Sequence, residues 1–121
     1  MKTLAQIRAA NALHASRISG MGLGQKGGNA LSGFPMLIKT SGLLAAAAFS
    51  IEVNAKGQSK QEGARLIVNA VADHLAKVGI GTATSAKDLV EELSEAAEAS
   101  QLRHATAEAL AFLSYLKRFV A

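Results

Sequence analysis

Three sets of residues in this chain could do chemistry. The first is Gly22-Leu-Gly-Gln-Lys-Gly27, a glycine spacing that in other chains cradles the pyrophosphate of a dinucleotide. Such a cradle needs a β-strand running into the glycines and a helix leaving them, because the phosphates rest on the amides that open the helix. Before these glycines, Leu4, Ile7, Asn11, His14 and Ile18 recur at three- and four-residue steps, which spells a helix. A P-loop fails too, since Lys26 is followed by Gly27 and not by Ser or Thr. The glycines therefore predict a mobile linker between helices, at about 19–33, used for its freedom in φ.

The second set is the histidines and carboxylates. His14, His74 and His104 fall on separate predicted helices, and there is neither a His-x-x-x-His spacing nor any cysteine, so no metal site is expected. His74 stands among Ile67, Val71 and Val78, the position of a hydrogen-bonded imidazole in a core or an interface. Asp73-His74 reverses the His-Asp order of metal phosphohydrolases and lacks their other ligands. His104 and Glu108, one turn apart, predict a surface hydrogen bond and not an acid–base couple. Glu91-Glu92 and the pair Glu95 and Glu98 lack a deeply apolar neighbourhood that would raise a carboxyl pKa. Neither an enzyme nor a cofactor is expected from this inventory.

The third set is the cations, and here the pattern is informative. A net charge of +4 conceals a division: residues 1–60 hold seven Lys or Arg against Glu52 alone, whereas residues 61–121 hold six against eight acids. Residues 1–40 carry no acid, and the stretch from Asp88 to Glu98 carries five acids and no base. One face should therefore suit a polyanion, and another should repel it or dock a basic partner.

The elements that must position these residues are helices. With 121 residues, half of them hydrophobic, only 4% aromatic and no tryptophan, one domain with a core of Leu, Ile and Val is expected. The absence of cysteine suits a reducing cytoplasm. Arg8 and Arg17 interrupt any signal-peptide core, and the longest uncharged apolar run, GLLAAAAFSI at 42–51, is too short to span a bilayer. A soluble, cytoplasmic chain with no membrane partner is the expectation.

Helices are predicted at about 2–18, 35–40, 43–53, 60–78, from Ser85-x-x-Asp88 to about 98, and 101–120. Ala64, Ile67, Val68, Val71, Leu75 and Val78 stripe the fourth of these, opposite a polar row of Arg65, Asn69, Asp73 and Lys77, so it should pack on one side only. The last helix sets Leu102, Ala109, Leu113, Leu116 and Val120 on one stripe and Arg103, Lys117 and Arg118 on the other side. The fold class is all-α: a compact single-domain bundle of five or six helices.

Three segments carry a resemblance. FPMLIKTSGLLAAAAFSI at 34–51, QEGARLIVNAVADHL at 61–75 and RHATAEALAFLSYLKRFVA at 103–121 resemble the Cmr small subunit, the fifth Cmr subunit family, of type III-B CRISPR RNA-guided effector complexes. The family's features fall on Arg8, Phe34-Pro35, the turn from Ile38 to Leu43, Thr106 to Leu110, and the ending from Tyr115 to Ala121. Ser41 stands where the family favours Asn, and Tyr115 where Trp is common.

The resemblance implies a helical bundle without activity of its own, in an antiviral ribonucleoprotein. Copies of such a subunit stack head to tail into a minor filament beside a large polymerase-like subunit. Backbone subunits opposite hold the guide RNA, and the groove between receives the target strand of the guide RNA–target RNA duplex. With base pairing supplying specificity, the small subunit need offer only cations to a phosphate backbone. The RNA-facing residues expected are Lys39, Lys117 and Arg118, with Arg8, Arg17 and Arg103 in support. Two other classes share the size and basicity. One is a stand-alone helical adaptor or scaffold. The other is a small helix-turn-helix DNA-binding regulator, which would want a recognition helix rich in Arg, Asn and Gln where helix 60–78 offers a balanced polar row.

Overall fold

A computed structural model describes residues 1–22 and 30–120. Among them are five α-helices: α1 (Leu4–Ser16), α2 (Ala30–Ser50), α3 (Glu62–Lys77), α4 (Ala86–Ser94) and α5 (Ala99–Phe119). The all-α expectation holds. Starts are set by local chemistry. Thr3 accepts the N–H of Gln6 at 3.1 Å while the Gln6 side chain accepts the N–H of Thr3 at 2.7 Å, a reciprocal cap that opens α1. Ser85 caps α4 through the N–H of Asp88, as its spacing predicts.

The break predicted between helices 35–40 and 43–53 is present: α2 is two helical pieces that meet at a kink. α2 begins at Ala30, ahead of Pro35, because Leu31 and Phe34 are buried there and their burial outweighs the backbone bond that proline forgoes. Its interruption is Gly42, at φ 88° and ψ 162°, a conformation open essentially to glycine alone. The break brings Phe49 back to the same hollow as Gly33, Phe34 and Leu37. By length and composition α2 is apolar enough to cross a membrane, which the run at 42–51 alone did not suggest. In this fold it is a core helix, with Leu31, Phe34, Ile38, Leu43, Ala46 and Ala47 buried.

α3 is the hub and touches all four other helices. One-sided packing is therefore too narrow a reading: Ala70 and Ala72 are buried as well as the predicted stripe from Ala64 to Leu75, while Val78 is the half-buried C-cap; alanine is small enough for a second helix to approach there. The acidic helix is shorter than expected. It stops at Ser94, and Glu98 instead caps α5 together with Gln101.

Both described ends of the glycine-rich stretch are held by contacts or helix. Met21 is buried, the carbonyl of Gly22 accepts the N–H of Ala30 at 2.9 Å, and Ala30 to Gly33 are already helix. At Gly22 (φ 84°) a Cβ would stand 2.8 Å from Val120 Cγ1, so this glycine serves close approach as well as conformational freedom. Lys26 and the rest of the glycine pattern at 23–29 lie outside the described residues.

A cationic groove between two helices and the clamp behind it

α5 carries different chemistry on its two edges. At 100° per residue, Arg103, Thr106, Leu110 and Lys117 fall within about 40° of one line, and Glu108 falls on the opposite side. On the first edge lies a groove shared with α2. It consists of two adjoining hollows, of about 480 and 350 Å³, that have Lys39 and Leu110 in common. Arg103 belongs to one hollow and Lys117 to the other, so three cations from two helices border two hollows that share part of their lining.

Its floor is mostly apolar, built from Ile38, Leu102, Leu110 and Leu113, with Gly42 at one side. Gly42 matters for its φ, which turns the chain just past Lys39. No carboxylate lines either hollow. Among the described residues, no ion pair engages Lys39, Arg103 or Lys117, and all three are exposed.

The other predicted cations lie elsewhere. Arg118 projects about 100° around α5 from Lys117, with its guanidinium carbon 5.9 Å from the centre of the Tyr115 ring. Arg17 is exposed at the C-terminal cap of α1 and lines neither hollow. Arg8 has a different task altogether. Its Nε and Nη2 donate to the two carboxylate oxygens of Glu108, both at 2.7 Å, a fork-to-fork pair that leaves little of the guanidinium for a phosphate.

That pair is half of a buried clamp. Glu108 Oε2 also lies 2.9 Å from Nε2 of His74, whose Nδ1 lies 2.9 Å from the amide nitrogen of Asn11. Asn11 donates to Nδ1, so Nε2 carries the hydrogen that reaches Glu108. The His74 ring stacks on Phe112, with centroids 4.5 Å apart. His74 is thus the hydrogen-bonded core imidazole that its stripe predicts. The Arg8 guanidinium holds the Glu108 carboxyl below the usual carboxylate range, against the opposing effect of burial and with help from His74.

The predicted surface pairing of His104 with Glu108 is overturned: His104 is exposed, while Glu108 is buried and bonded elsewhere. A signal was present in the sequence, because Glu108 adjoins Ala109 and precedes Phe112 by one turn, inside the apolar stripe. Its partner Arg8 is 100 residues away, and no periodicity connects the two.

Among the described residues, no three His, Asp or Glu side chains gather as metal ligands would. No curated protein and no solved structure matches this chain. The model of one family does match, described as CRISPR-associated protein (Cas_Cmr5), and the match spans residues 4–121. Nearly the whole chain, from the first turn of α1 through the cationic end of α5, is therefore covered, and the chain belongs to this family of small subunits of type III-B CRISPR Cmr complexes.

Proposed function

We propose that this chain is a non-catalytic small subunit that lines the target-RNA path of a cytoplasmic Cmr effector complex, with Lys39, Arg103 and Lys117 facing the phosphates. Copies stack head to tail beside the large polymerase-like subunit, across from the backbone subunits that hold the guide RNA. The observation that carries this reading is the groove between α2 and α5: three cations with no ion pair and no carboxylate in the lining among the described residues, and a family whose members serve an RNA-guided complex. The acidic residues Asp88 and Glu91 of α4, and Glu95 at its C-terminal cap, are exposed on other ground and suit docking to a basic neighbour.

Three phosphate contacts make weak binding by one copy, with a log–log salt slope of about −2 on a single strand. Useful affinity arises when stacked copies act together on one strand. The test is an assembled complex carrying Lys39→Glu, Arg103→Glu and Lys117→Glu together. Target-RNA retention is expected to fall by more than tenfold at about 0.15 M salt, with assembly intact. Unchanged retention would overturn the reading in favour of a scaffold without nucleic-acid contact. Sequence-specific binding of duplex DNA by the isolated chain would overturn it in favour of a DNA regulator.

A further inference from the structure

We propose that the larger hollow of this groove receives an unpaired, unstacked nucleobase, while Lys39, Arg103 and Lys117 hold the phosphates on either side. The inference rests on the RNA-lining role and adds a ligand part to it. A surface that only tracks a backbone needs cations and water. This one sets two cations, Lys39 and Arg103, at the border of a hollow of about 480 Å³ floored by Ile38, Leu102 and Leu110. That volume is within the range of small-molecule sites. An apolar floor under a cationic rim is complementary to a nucleotide, which has flat apolar faces on its base and negative charge on its phosphate.

Two details sharpen the fit. Thr106 is the hydroxyl side chain in the lining, able to give or accept a hydrogen bond at a base edge. The Arg103 guanidinium is a planar cation on which a base can stack, so the shortage of aromatic residues does not by itself deprive this chain of base contacts. Other hollows lack this character. The one beneath Phe49 includes Glu62, already paired with Arg65, and those beside α4 include Glu92 and Glu95, so each has a carboxylate in its lining where this groove shows none among the described residues. A base in a continuous duplex has both faces stacked and its edge paired, which leaves only a splayed-out nucleotide able to enter.

The test compares the full chain bound to a short oligoadenylate with the same chain bound to an abasic strand of equal length. By NMR, the oligoadenylate is expected to shift the amides of Gly42, Thr106 and Ala107 and the methyls of Leu110. The abasic strand is expected to shift the neighbourhoods of Lys39, Arg103 and Lys117 only, with binding about fivefold weaker. Thr106→Trp fills the hollow and keeps every cation. It is expected to bring oligoadenylate affinity down to the abasic level with an unchanged salt slope, and Ala107→Trp at an exposed position serves as the second variant. Equal affinity for both strands, with the same floor residues shifted, would overturn the base site and leave the phosphate-lining role standing. Binding of neither strand, with the floor shifted by oligoglutamate instead, would overturn both in favour of an acidic protein segment.

Discussion

The two edges of α5 show what decides a cation's job. On one edge, Arg8 meets Glu108 and is spent on holding α1 in place; on the other, Lys39, Arg103 and Lys117 meet no carboxylate among the described residues. The difference follows from what each neighbouring helix can bury. α1 packs along α5 but fully buries only Ala12 and Ala15, both small, and the Arg8–Glu108–His74–Asn11 clamp adds polar contacts that fix it there. α2 buries Leu31, Phe34 and Ile38 before the break at Gly42. Its lysine is free of structural duty. A basic residue near the start of this chain is therefore a ligand group or a strut according to whether an acid is within reach, and charge segregation along the sequence does not distinguish the two.

The sharpest way to break this contrast is Glu108→Ala. It strands a guanidinium and an imidazole that both lose their acceptor in a site where Glu108 itself is 4% exposed. Removing one partner of such a pair should cost about 3 kcal/mol, somewhat softened because Arg8 retains access to water. For a chain of this length that lowers the thermal midpoint by roughly 10 °C. Lys39→Ala, on the other edge, should change stability by no more than about 0.5 kcal/mol. Paired melting curves check both, and equal midpoints for the two variants would erase the distinction between strut and ligand.

A smaller effect, in pH, isolates the charge of the clamp. The folded-state carboxyl of Glu108 sits below its ordinary value of 4.5, chiefly through its hydrogen bonds from Arg8. Below that ordinary value the unfolded chain binds a proton that the folded chain still refuses, so stability falls as pH falls through the folded pKa. Above it the contribution is fully present. Urea melts across the acid range should show a steeper loss for the native chain than for Glu108→Gln, which has no proton to take up. Parallel curves would place the acid sensitivity on other carboxylates and reduce the clamp to packing.

How legible these regions were in the sequence differs in the same way. The hub helix was readable because Ile67, Val68, Val71 and Leu75 repeat at helical spacing, and the start of α4 because Ser85 and Asp88 form a local cap. Local periodicity also placed Lys117 on the side of the last helix away from its apolar stripe. The clamp was not readable. Glu108 shows in its own window only as an acid inside an apolar stripe and Arg8 as an ordinary surface residue, and only the packing of α1 along α5 brings them together. Proline misled for a related reason: at Pro35 a local rule lost to the burial of Leu31 and Phe34, which depends on the other helices. Gly22 was readable as glycine but not as a contact with Val120, nearly a hundred residues later.

The finest test exchanges one charge on each edge, Arg8→Gln against Lys39→Gln. Both remove a single positive charge from the same small domain, so any effect of net charge alone is matched. If Lys39 faces a phosphate, its loss releases one fewer condensed counterion when a single strand binds, and the log–log salt slope becomes shallower by about 0.7. Arg8→Gln should leave that slope where it was, because its guanidinium is already neutralised by Glu108, while lowering the melting midpoint that Lys39→Gln preserves. The two variants thus swap phenotypes, stability for salt dependence. Should Arg8→Gln flatten the slope as much as Lys39→Gln does, the RNA would have to compete successfully with Glu108 for that guanidinium, and the clamp edge would join the binding surface.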